Sequence, residues 1–141
     1  MDRLAFQQFI SRALSGQAGG AVLSLGRVSD GNAVAVRVAT GIDIAGFVRT
    51  ISASEVRHIF KSHGDPAREA LRGQQAITKA DLAEAVVIAE RAVGVIVKGE
   101  ERGHKPRRLV YTSPMNGGTV EYVETLHPGR RVVAVKTMRK C

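Results

Sequence analysis

The spacing of apolar residues changes three times along this chain. In RLAFQQFISRAL (3–14), Leu4, Phe9, Ile10, Ala13 and Leu14 fall roughly at helical spacing, which predicts a short amphipathic helix or the tail of a linker. The glycines of GQAGG (16–20) break it. The period then shortens to two. AVLSLGRV (21–28) and NAVAVRVAT (32–40) flank Asp30-Gly31, and in the second run Val34, Val36 and Val38 alternate with Ala35, Arg37 and Ala39. Asp-Gly between β-branched runs suits a primed turn, so an N-terminal β-hairpin is predicted. GIDIAGFVRTI (41–51) reads as a loop or an irregular strand.

Helical spacing returns at Ser52. Ser52-Ala-Ser-Glu55 has the form of a capping box, and a helix is predicted through His63 with Gly64 in the left-handed position that ends it. Asp65-Pro66 reads as N-cap and first residue of a short helix over 66–71, closed by Gly73. Thr78-Lys-Ala-Asp81 is a second capping box. It opens a helix over about 79–92 with Leu82, Ala85, Val86, Ala89 and Val93 as the buried stripe. After that, GVIV (94–97), RRLVYT (107–112), TVEYVETL (119–126) and RVVAVKTM (131–138) read as strands. A basic loop, Asn116-Gly117-Gly118 and His127-Pro128-Gly129 join them, and the last three are close enough for an antiparallel meander. Helices segregated from a run of strands make the expected fold class α+β.

Composition narrows the function classes. A chain of 141 residues with 44% apolar content supports one globular domain with a real core. Residues 1–20 read as a helix or linker remnant, and 21–141 as a single domain. No apolar run is long enough for a membrane span, and no secretory leader opens the sequence. The lone cysteine, Cys141, permits no internal disulfide and is a poor ligand or nucleophile candidate. Net charge is +8. Residues 98–108 hold five basic side chains against two acids, and 130–140 hold five against none. Such a balance favours a polyanion, most often nucleic acid, over a membrane surface.

The candidate chemistry centres on HIFKSHGD (58–65). On a helix His63 shares the side of Val56, Ile59 and Phe60, while His58 lies about 140° away from it. The two are not the i, i+4 pair of a zinc helix, and no CxxC adds ligands, so no metal is expected. His63 is either a helix-end residue favoured by the dipole or an acid/base imidazole at the mouth of a cleft. Arg68 and Arg72 are i, i+4 and either clamp a phosphate or pair with Glu69, Asp65 or solvent. GHKPRR (103–108) has the charge to track a nucleic-acid backbone. On a regular strand Lys136 and Thr137 face opposite ways, with Thr137 on the side of Val133 and Val135, unless a bulge intervenes. Walker, GxGxxG and GxSxG motifs are absent. Histidine, arginine, lysine and threonine without a metal suit RNA, which carries its own 2′-OH nucleophile.

GIDIAGFVRTISASEVRHIFKSHGD, RGQQAITKADL and VVAVKTM together resemble the phage-associated branch of the barnase/EndoU/colicin-tRNase/RelE-like nucleases, over roughly residues 41–139. The resemblance implies a helical part packed on a four-stranded antiparallel sheet. It also implies a metal-independent endoribonuclease, a toxin domain with tRNA among its targets, that needs no cofactor. Its motifs fall on His63-Gly64 with His58 before them, on Arg72-Gly73-Gln74, on Thr78 and Asp81 (assigned above to capping), and on Lys136-Thr137. Arg139 stands where such tails often have an aromatic residue. The expected catalytic set is therefore His63 as principal acid/base, His58 as a secondary one, Arg72 on the phosphate, Thr137 orienting it, and Lys136 as alternative charge stabiliser. Substrate contacts are expected from Arg68, Gln74, His104, Lys105, Arg107, Arg108 and Arg131. The resemblance further implies a domain of a larger phage head-morphogenesis or polymorphic toxin protein, made in the cytoplasm and delivered by a virion or secretion system to a cytoplasmic target. A small acidic immunity protein would be its partner. The competing expectation is a non-catalytic basic module for nucleic-acid binding or virion assembly.

Overall fold

The computed structural model describes residues 2–99, 105–115 and 117–141. Helix α1 (Arg3–Leu14) leads into strand β1 (Val22–Arg27), helix α2 (Asp30–Thr40) and strand β2 (Val48–Ser52). Helices α3 (Ala53–His63), α4 (Pro66–Leu71), α5 (Lys79–Ala83) and α6 (Ala85–Arg91) follow. Strands β3 (Ile96–Lys98), β4 (Arg108–Met115), β5 (Gly118–His127) and β6 (Val132–Lys140) complete the chain. The fold is α+β, and the described residues form a six-stranded mixed sheet in the order β1-β2-β6-β5-β4-β3, not four antiparallel strands. β2 runs parallel to β6, and the other pairs are antiparallel. The predicted late meander is β4-β5-β6. Among the described residues no helix is long and apolar enough to cross a membrane.

The predicted hairpin at Asp30-Gly31 does not form. The Ser29 hydroxyl accepts from the Asn32 N–H at 3.1 Å, making Ser29 the N-cap of a helix. Ala33 and Val36 turn inward while Val34 and Val38 stay exposed, so the apparent strand alternation is one helix seen from two sides. Gly41, at φ +77°, closes that helix, and β1 pairs instead with β2. The segment 41–51 therefore holds a regular strand.

The capped helices form where expected. Thr78 and Asp81 make both halves of their capping box. At Ser52 one half forms: its hydroxyl accepts from the Glu55 N–H at 3.0 Å, while the Glu55 carboxylate turns toward Lys136. Gly64 is not left-handed, since its φ is −99°. Its lack of a side chain matters for another reason: a Cβ there would stand 2.6 Å from the Phe60 carbonyl oxygen. Gly73, at φ +69°, does end the α4 segment as expected. The long helix over 79–92 is two short ones meeting at Glu84; Leu82, Ala85 and Ala89 are buried, but Val93 is exposed.

α1 is a helix that inserts Phe6, Phe9, Ile10 and Ala13 into the same core as the sheet, leaving Leu4 and Leu14 outside. Beneath the sheet lies a buried polar group. The Glu124 carboxylate accepts from the Arg49 guanidinium at both oxygens and from the Tyr122 hydroxyl at 2.7 Å. Asn32 Oδ1 takes a further Arg49 N–H at 3.2 Å. Burial opposes the charge on Arg49, but the adjoining Glu124 outweighs it and holds the guanidinium ionised. Burial, then Glu124, pushes the Tyr111 and Tyr122 hydroxyls up, so both stay neutral.

Candidate nucleic-acid cleft

One register row crosses the whole sheet: Lys98, Arg108, Thr125, Ala134, Thr50 and Ser24 stand opposite one another from β3 to β1. Residues in register share a face. All six are exposed or half-exposed, whereas Val133, Val135, Leu126 and Tyr122 on the other face are buried. Along this row the sheet therefore turns basic and hydroxyl-bearing side chains outward.

A bulge aims one more cation at this face. Val123 pairs with Thr137 and Glu124 with Val135, which leaves Lys136 as the extra residue of β6. Thr137 therefore shares the open face with Val123 and Thr125, not the buried side with Val133 and Val135 as regular alternation predicts. Lys136 points into a cleft of about 980 Å³. Ser52 and Glu55 at the start of α3 form one wall, and Lys105 with Arg108 form another. Thr125, His127 and Ala134 contribute from the sheet.

Two groups in this cleft are poised. Glu55 Oε1 lies 3.8 Å from Lys136 Nζ, and Glu55 Oε2 is buried with no hydrogen-bond partner. His127 Nε2 lies 3.0 Å from Thr125 Oγ1. Partial burial, then the charge on Arg130, lowers the His127 pKa from its ordinary value near 6.5, so the imidazole is neutral at pH 7.

Among the residues expected to act, Lys105, Arg108 and Lys136 meet in the cleft. His63 sits at the far end of α3, where its Nδ1 faces Glu69 Oε1 at 3.1 Å. Arg72 joins the same carboxylate oxygen at 3.3 Å and donates to the Ser62 carbonyl at 3.0 Å. His58 and Arg68 are exposed, and Gln74 is half-buried with an unpartnered Oε1. Arg107 is half-buried, and its carbonyl accepts from the Leu126 N–H. Arg131 donates to the Ala45 carbonyl at 2.9 Å, tying the turn before β6 to the loop before β2. His104 lies outside the described residues.

Glu55, His127 and Glu69 do not stand out in the sequence as site residues. Glu55 occupies a capping position and His127 precedes Pro-Gly, so each has a sufficient local explanation. Only the β5–β6 register and the β2–α3 junction bring the first two together.

A family model described as phage-Barnase-EndoU-ColicinE5/D-RelE like nuclease3 matches residues 26–141. The chain belongs to this family. It is a nuclease-like domain, and the match starts within β1 and includes α2. No curated protein and no solved structure compared with the chain matches it.

Proposed function

We propose that this nuclease-family domain is a metal-independent endoribonuclease whose reaction centre is the cleft between α3 and the open face of the sheet. The carrying observation is Glu55: a carboxylate with one oxygen near Lys136 and the other buried and unpartnered is a base waiting for a donor. In this reading Glu55 takes the proton of the RNA 2′-OH and the 2′ oxygen attacks phosphorus. The bond from phosphorus to the 5′ oxygen breaks, and His127 in its protonated form supplies the proton that oxygen needs. Lys136, Arg108 and Lys105 offset the charge gathering on the phosphoryl oxygens. The products are a 2′,3′-cyclic phosphate and a 5′-hydroxyl.

This assignment moves the acid/base work from His63 and His58 to Glu55 and His127, and keeps Lys136. It carries with it the expectation of a toxin domain within a larger phage or toxin protein. A cytoplasmic RNA would be its target and a small acidic protein its inhibitor. The test is incubation with total RNA in EDTA, followed by end-group analysis. Fragments ending in cyclic phosphate, lost in Glu55→Gln with the fold intact, support the reading. Salt-dependent RNA binding without cleavage would instead make the domain a binding or assembly module.

A further inference from the structure

The far end of α3 carries an arrangement that the cleft does not use. Gly64 lets the chain pass close over Phe60, Asp65 caps α4, and Pro66 starts it. This sharp reversal drives Glu69 under the end of α3, where its side chain is 1% exposed. A carboxylate so buried is heavily penalised unless cations hold it. The Arg72 guanidinium and the His63 Nδ1–H both reach Oε1, while Oε2 is buried with no hydrogen-bond partner. With Nδ1–H donated inward, the His63 ring presents Nε2 outward, where the imidazolium form donates to an anion, and the Arg72 side chain is 45% exposed beside it. Fixed inward and open outward, this pair suits a tetrahedral oxyanion.

Its position relative to the cleft supplies the ligand. Glu55, His58 and Ser62, at i, i+3 and i+7, lie along one side of α3, and the Ser62 carbonyl accepts from Arg72. Glu55 and His63 are eight residues apart, about 12 Å along the axis. That span accommodates more than one phosphate of an extended single strand.

We propose that His63 and Arg72, anchored on the buried Glu69 carboxylate, form a subsite for a non-scissile phosphate of the same RNA strand that is cut at Glu55. The assignment rests on the nuclease reading of the cleft. In it Glu69 is a positioning residue, His63 and Arg72 are binding residues, and His58 lies along the path.

The test compares a dinucleotide with a hexanucleotide containing the same cut. In the wild type, kcat/KM is higher for the hexamer. Arg72→Ala and His63→Ala each lower the hexamer value about tenfold through KM, with the loss confined to the longer substrate, and Arg72→Lys restores part of it. Glu69→Gln shows the same pattern if it folds, as judged by thermal melting. Equal losses on both substrates would overturn the subsite and return His63 to the scissile bond, and no loss on either would also overturn it. Binding of a 2′-deoxy hexamer, which lacks the nucleophile, tests the subsite without the chemistry. Weaker binding by Arg72→Ala, with a shallower salt slope, supports the subsite even if the wild type cleaves nothing, and unchanged binding overturns it.

Discussion

Two carboxylates, one beneath the sheet and one on the helical wall of the cleft, have opposite fates. Glu124, on the covered face, is fully buried, and both its oxygens are filled by Arg49 and Tyr122. Glu55, at the edge of the open face, has one oxygen near Lys136 and the other unpartnered. A saturated buried charge is inert, because any change of partner leaves it uncompensated. A half-saturated one beside a cleft can take a proton or meet a ligand at little reorganisation cost. In the proposed reading the same residue type serves the fold beneath the sheet and chemistry beside the cleft, according to how many donors reach it.

The covered face offers the largest effect. Arg49→Ala strands Glu124 in the core and should cost about 3–5 kcal/mol, measured as a fall in the denaturant midpoint. Replacing the pair together, Arg49→Met with Glu124→Leu, should cost less than Arg49→Ala alone. If it costs more, the network contributes net stability and the contrast between the faces is weaker than described. The open face should respond in rate instead. Glu55→Gln should lower RNA cleavage about 100-fold or more with little change in melting temperature, read by single-turnover cleavage alongside a melting curve. A stability loss as large as the rate loss would mean that Glu55 serves the fold as Glu124 does.

The pH dependence sharpens the same comparison. As the proposed acid, His127 must be protonated, and its pKa is lowered. Cleavage should therefore fall as pH rises through that lowered value, placing the optimum on the acid side of the ordinary histidine range, as a pH–rate profile would show. The linkage to folding has the opposite sense. The folded chain binds fewer protons at His127 than the unfolded chain near pH 6.5. The stability contribution is therefore complete above that pH and is lost as pH falls through the folded value. The smallest effect belongs to Val38, which neither face uses. It is 83% exposed on α2, so Val38→Lys should shift stability by no more than about 0.5 kcal/mol. Had the predicted hairpin formed with this valine inward, the same change would be severe. A melting curve separates the two.

The capped helices and the late meander were readable because their signals are local. Ser52, Asp65 and Thr78 each bond to an amide two or three residues on, and β4, β5 and β6 follow one another through tight turns. Ser-Asp-Gly-Asn at 29–32 was ambiguous, because one string serves a primed turn and a helix N-terminus equally well. Burial of Ala33 and Val36, with Asn32 donating to the Ala89 carbonyl at 2.6 Å, decided it from outside the segment. The candidate site was readable in its cations alone. Lys105, Arg108 and Lys136 are visible as charge, but the groups they meet are not.

By itself, then, the sequence determined the α+β class, three helix starts at Ser52, Asp65 and Thr78, the basic character and the nuclease-family resemblance. The tertiary structure decided the parallel β2–β6 pairing, the bulge that frees Lys136, the Glu55–His127 cleft and the Glu69 anchor. The division follows range. Caps and tight turns are settled within a few residues, whereas strand register and the partners of a buried charge depend on segments 17 to 75 residues away, as Arg49 with Asn32 and Glu124 shows.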